Sequence, residues 1–223
     1  MEIIDDKDFW KPRRCLREPI PEIFHAAFLL DRAVGAHLTG DHSSAAKLIQ
    51  AANMPVVRAW TESLWGKKAA NPDQWKYFRL REINDIPPIL PEKERSPERD
   101  PTPDRERAVI ECYGRNCVFC GIPLIHKNIR IAIGLVYPNT WGRGNLEQHA
   151  ALQCMWMQFD HIIPHSRGGD SSAENLVVTC APCNNGRGNR MLDEVGLIDP
   201  RTLPTYKTSW DGLERFSPAS RAS

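Results

Sequence analysis

The sequence predicts an α+β fold in two parts, a helical N-terminal domain over residues 1–86 and a mixed domain over 105–215. Three observations carry this. Apolar residues recur at helical spacing from Ile23 to Leu38 and again from Ala45 to Ala52. Six prolines lie between Pro87 and Asp104 among Glu, Lys and Arg, a composition that can neither continue a helix nor bury a core. From Cys154 to Leu192 the chain passes from a β-rich run through a turn-rich loop and a second β-branched run to a helix start.

Taken in order, residues 1–20 read as an extended arm, docked by Phe9 and Trp10. From Glu22 the first helix carries Ile23, Ala27, Leu30, Val34 and Leu38 on one face, and Gly40 marks its stop. Asp41 caps a second helix whose buried face holds Ala45, Leu48, Ile49 and Ala52. Met54-Pro55 opens a third, ended by Gly66. Trp60, Trp65 and Trp75 accompany Lys67, Lys68, Lys76, Arg79 and Arg81. Interleaved aromatic and basic groups suit nucleic-acid stacking, but aromatic filling of a small helical core is the preferred account.

The segment 87–104 is expected to act as a semi-stiff linker between the domains. A helix over DRERAVIECYG follows, with Cys112 packed inside it. PLI and IRIAIGLVY suggest strands, and PNTWGRGNLEQHAA a loop. With Trp141, Arg143 and Asn145 near its tip, that loop reads equally as a DNA-groove contact or an inserted hairpin. Cys154–Ile163 is the next strand, closed by Pro164, and Leu176–Thr179 its partner. A helix is expected from Ala181-Pro182 to about Leu192. The following tail should pack back through Leu203, Tyr206 and Trp210, leaving 216–223 disordered.

Two ligand types sit in this fold-back. Cys117-x-x-Cys120 and Cys180-x-x-Cys183 are paired thiolate hooks of the kind that close a tetrahedral Zn²⁺ site. Asp160, His161, Asn175 and Asn184 are hard oxygen donors plus an imidazole, suited to Mg²⁺ or Mn²⁺ and to general-base chemistry. A structural and a catalytic metal are therefore expected side by side.

The string Asp160-His161-Ile162-Ile163-Pro164, Gly168-Gly169, Asn175-Leu176, Cys180-x-x-Cys183-Asn184 resembles the HNH endonucleases of the ββα-metal fold, in their four-cysteine zinc-knuckle subgroup. The resemblance spans about residues 105–193; Asn184 stands where the family often has His, as in HNN variants, and the interval Gly121–Phe159 is unusually long. The resemblance implies metal-dependent hydrolysis of DNA to a 5′-phosphate and a 3′-hydroxyl. It implies a backbone bend at Asp160-His161, with Asp160 and Asn184 holding the catalytic cation and Asn175 tying the loop so that His161 stays aimed. His161 is the candidate general base. Arg187 and Arg190 are placed to hold flanking phosphates. Arg167 is a further candidate, and His165 contacts phosphate or, more plainly, caps a turn.

Composition narrows the setting. The 223 residues carry a net charge of +1, so no global basic field draws the chain to nucleic acid. Residues 160–192 hold few net charges, and affinity must come from another surface or from a partner docked on the helical part. Three cysteines outside the hooks form no disulfide framework, which favours a reducing cytoplasm. No signal peptide or membrane span is visible. A restriction or anti-phage role suits such an architecture. The rival account is a zinc-stabilised module that binds nucleic acid or protein without catalysis.

Overall fold

The computed structural model describes residues 11–65, 80–140, 142, 144 and 147–216. Three helices open it: α1 (Pro21–Leu38), α2 (His42–Ala52) and α3 (Pro55–Leu64). Proline at the first turn starts α1 and α3, where its missing N–H would have had no partner. The Asp41 carboxylate accepts from the Ser44 N–H at 2.9 Å and caps α2. Helices α1 and α2 pack as the expected hairpin. Trp60 of α3 is buried in the core and donates its indole N–H to the Glu18 carbonyl at 2.9 Å, in line with a packing role.

Helix α4 (Pro103–Tyr113) is capped by Thr102 and stopped by Gly114 at φ 77°. The cysteine knuckle follows, then α5 (Lys127–Val136) and the short α6 (Ala150–Cys154). Strands β1 (Met157–His161) and β2 (Leu176–Cys180) pair antiparallel, with Asp160 opposite Val177 and His161 opposite Leu176. Helix α7 (Ala181–Arg187) closes the unit and ends at Gly188. Among the described residues this gives seven helices and one two-stranded sheet, an α+β fold.

Several expectations need correction. The segment IRIAIGLVY forms helix α5, not strands. Its β-branched content pointed to a strand, but Ile129, Arg130 and Ile133 recur at helical spacing and are buried together. The strand before Pro164 begins only at Met157, because Cys154 ends α6. Helix α7 stops at Arg187 rather than Leu192, where Gly188 takes a positive φ of 58°. Cys112 is exposed, not packed. In the tail Trp210 docks, donating to the Leu124 carbonyl at 2.8 Å, while Tyr206 is exposed. Phe9, Trp10, Lys67, Lys68, Trp75, Lys76, Arg79, Trp141, Arg143, Asn145 and the residues after 216 lie outside the described residues.

The segment 87–104, expected as a semi-stiff linker, is hydrogen-bonded to the rest of the chain. The Leu90 N–H donates to the Ser166 carbonyl at 2.8 Å, and upstream Arg81 N–H reaches the Glu194 carbonyl at 2.8 Å. The helical part also shares one apolar core with the remainder: α3 lies against α6 and α7, and α1 against α6. His149 fastens this junction. Its Nδ1 accepts from the Leu152 N–H at 3.2 Å, so its Nε2–H donates to the Ile49 carbonyl of α2 at 2.7 Å. Burial, reinforced by the Arg58 charge, lowers its pKa to about 4. Stretches near both limits of the described residues are stitched in as well. Arg13 exchanges backbone hydrogen bonds with Gly196 and Ile198, both at 3.0 Å, and Arg215 pairs with Asp31 at 2.6 Å.

Candidate active site and metal centre

The four hook cysteines are brought together. Cys117, Cys120, Cys180 and Cys183 are all buried, with their sulfurs within 4.8 Å of one another. The first hook is a tight turn: Gly121 N–H donates to the Cys117 carbonyl and Cys117 N–H to the Ile122 carbonyl, both at 2.8 Å. Val118 N–H bonds the Val178 carbonyl and ties that turn to β2, whose last residue is Cys180. Cys180 then opens α7, which carries Cys183.

Cys120 and Cys180 sulfurs lie 3.6 Å apart. Four thiolates about 2.3 Å from a tetrahedral Zn²⁺ stand about 3.8 Å from one another, so the cluster fits that ion. Burial raises these thiols, yet hydrogen bonds from the other three hold Cys117 well below its ordinary range. A bound cation would neutralise the thiolates of such a crowded, buried cluster.

Of the second set, Asp160, His161 and Asn184 line a cleft of about 780 Å³, with His165 and Arg187 also in its wall, while Asn175 lies outside that lining. The expected bend at Asp160-His161 is absent: the ladder runs unbroken through His161, and the chain bends after it, at Ile162-Ile163. Strand alternation therefore buries Asp160 and leaves His161 half-exposed.

Asn175 holds the loop between the strands. Its Oδ1 accepts from the Ile163 N–H at 2.9 Å, and its Nδ2 donates to the carbonyls of Ile163 at 3.1 Å and Asp170 at 2.8 Å. A Cβ on Gly169 would lie 1.8 Å from the Ile163 carbonyl oxygen, so only glycine permits this closure.

His161 is oriented by a residue the sequence did not single out. Its Nε2 lies 3.0 Å from the Ser171 hydroxyl, which itself reaches the carbonyls of Glu98 at 2.9 Å and Arg99 at 2.8 Å. A hydroxyl has one hydrogen, and two carbonyls compete for it. Nε2 must therefore carry the imidazole proton and donate to Ser171, which leaves the lone pair on Nδ1. Desolvation, with the charges of His165, Arg187 and Arg99, lowers the His161 pKa to about 4, so the ring is neutral near pH 7.

The arginines are placed differently from expectation. Arg187 is fully buried, and all five of its N–H donors are committed. Nε donates to Asp160 Oδ2 at 3.1 Å, and Nη1 to the carbonyls of Ile162 at 3.3 Å and Arg190 at 2.7 Å. Nη2 takes Asp160 Oδ1 and the His161 carbonyl. It is a buried counter-ion and not a phosphate ligand. Burial raises the Asp160 carboxyl above its ordinary range, and Arg187 opposes that rise.

Arg167 is likewise engaged, with the Asn189 carbonyl at 2.7 Å, the Pro87 carbonyl and the Glu194 carboxylate at 3.3 Å. His165 Nε2 donates to the Ser96 carbonyl at 2.7 Å, closer to the turn-capping account. Arg190 is half-buried beside Glu194.

Asp160 and Asn184 offer oxygen donors in the same cleft, a chemistry that fits Mg²⁺ or Mn²⁺. Although Arg187 engages both Asp160 oxygens and the His161 backbone N–H adds a third bond, a carboxylate has about four lone-pair sites, so one remains.

Residues 147–190 match the family model described as HNH endonuclease. That span covers β1, the loop, β2 and α7, and it supports the resemblance drawn from the motif. No curated protein and no solved structure matches the chain. Among the described residues no helix is long and apolar enough to cross a membrane.

Proposed function

We propose that the chain is a metal-dependent endonuclease that hydrolyses DNA phosphodiester bonds. One observation carries this: a neutral His161, its Nε2–H fixed on Ser171 and its Nδ1 lone pair without a hydrogen-bond partner among the described residues, lines a cleft with Asp160 and Asn184. His161 Nδ1 takes the proton of a water as that water's oxygen forms its bond to phosphorus. The bond to the 3′ oxygen breaks on the opposite side, and that oxygen takes a proton from solvent, leaving a 5′-phosphate and a 3′-hydroxyl. Asp160 and Asn184 would hold Mg²⁺ or Mn²⁺, which when bound neutralises charge on the phosphate and the departing oxygen. Asn175 keeps the loop closed so that His161 stays aimed. Cys117, Cys120, Cys180 and Cys183 would hold a structural Zn²⁺.

The test is incubation of the purified protein with supercoiled plasmid, linear duplex, single-stranded DNA and RNA, each with Mg²⁺, Mn²⁺ or EDTA. Cleavage of DNA that EDTA abolishes is expected, together with a loss of about two to four orders of magnitude in His161→Ala. Near-normal cleavage by that variant would refute the assignment of the base. A zinc-stabilised binding module without catalysis is the second reading, favoured by the buried pairing of Asp160 with Arg187. It predicts DNA or protein binding with no cleavage under any metal. The setting we put forward is cytoplasmic, in a restriction or anti-phage system, with the helical part docking a protein partner.

A further inference from the structure

The phosphate ligands expected from the sequence are turned to other work or stand elsewhere: Arg187 has no spare donor, Arg167 spans two carbonyls and Glu194, His165 is held by Ser96, and Arg190 is outside the cleft lining. A nuclease cleft without cations along the strand path has no grip on a polyanion. The missing charge stands on the opposite wall. Residues 89–99 cross the mouth of the cleft and bring Lys93, Arg95 and Arg99 into its lining, against a single carboxylate there, Glu92, once Asp160 is matched by Arg187.

The wall is built, not loosely laid. Leu90 N–H bonds the Ser166 carbonyl at 2.8 Å, Ser96 accepts from His165, and the Glu98 and Arg99 carbonyls meet Ser171. Arg95 stiffens it by donating Nε to the Leu90 carbonyl at 2.9 Å. Lys93 and Arg99 are exposed at the cleft surface, and the Arg99 charge is felt by His161. The prolines Pro91 and Pro97 limit the entropy lost in holding these cations in place.

We propose that residues 89–99 form the phosphate-binding wall of the nuclease cleft, with Lys93 and Arg99 each holding a backbone phosphate of the DNA strand beside the scissile bond. This deepens the endonuclease reading and rests on it. The wall lies outside the 147–190 match, so the active cleft is assembled from two separate stretches of chain.

The test is binding of a fluorescent duplex by the zinc-loaded full-length protein, by anisotropy without added Mg²⁺ or Mn²⁺ across a salt series, followed by steady-state cleavage with Mg²⁺ or Mn²⁺ added. The double variant Lys93→Ala/Arg99→Ala should weaken binding at least tenfold at low salt. It should also flatten the slope of log K against log salt by about 1.8, at about 0.9 for each lost phosphate contact. KM should rise more than kcat falls. The charge-keeping pair Lys93→Arg/Arg99→Lys should restore most of the slope, and Lys47→Ala, on α2 away from the cleft, should match the wild type. An unchanged slope in a double variant whose wild-type parent binds and cuts would overturn the wall while leaving the endonuclease reading intact. Wild-type protein that neither binds nor cuts any DNA would overturn that reading, and the proposal with it.

Discussion

His149 makes the stability of this protein acid-sensitive in a window that can be worked out beforehand. Its ring is buried between α2 and α6, donating to Ile49 and accepting from Leu152, so both nitrogens are committed in the neutral form. The unfolded chain takes up a proton near pH 6.5 and the folded one only near pH 4. Between those values the unfolded state binds more protons, so stability falls as pH falls. It is fully present above about 6.5 and lost progressively toward 4. A shift of this size corresponds to about 3 kcal/mol over the whole window, and to about 2 kcal/mol already at pH 5. The perturbation is His149→Asn, which keeps a capping acceptor and removes the titration. Urea unfolding, followed by tryptophan fluorescence at fixed zinc, should show the variant less stable than wild type at pH 7.5, with the gap closing by about 2 kcal/mol at pH 5. Comparing the two proteins cancels the slope contributed by His161 and by the cysteines. Parallel pH curves would refute the reasoning.

Three further outcomes follow from the geometry. Cys180→Ser should lose bound zinc by elemental analysis and yield an insoluble or unfolded protein, since such a site supplies folding energy; full zinc content in that variant would refute the four-cysteine assignment. Arg187→Met should destabilise by about 3–5 kcal/mol, because it strands the Asp160 carboxylate in the core. Adding Asp160→Asn should recover part of that loss, and strict additivity in denaturant melts would count against the pair. Gly169→Ala should destabilise by about 3 kcal/mol or more, read by thermal melting, because its Cβ has no room against Ile163; a melt within a degree of wild type would refute that closure.

What the sequence disclosed was local. The two hooks, the α1–α2 hairpin, the strand pair and the start of α7 rest on spacing, capping and proline placement, which act over a few residues. Helix α5 was hidden because isoleucine and valine serve strands and buried helix faces alike, and a short apolar run does not separate the two. Arg187 was misjudged for a deeper reason. Helical spacing put it one turn after Asn184, but only the paired strands bring Asp160 beneath it. Ser171 and the 89–99 wall left no trace at all. Their roles depend on contacts across some 70 residues, and a charged, proline-rich stretch has the same composition whether it hangs free or lies against a cleft.

The stitching of Arg13 to Gly196 and Ile198, and of Asp31 to Arg215, bears on how the chain comes into being. During synthesis the helices near the start emerge with part of their apolar surface uncovered, since their covering groups are made much later. The second cysteine hook follows the first by some sixty residues, so a nascent chain holds only half of the cysteine cluster while those residues are made. Closing such long loops is slow, and the cleft cannot form until both of its distant walls have been made. An unfinished chain thus lacks the cleft that the proposed chemistry needs, by topology alone.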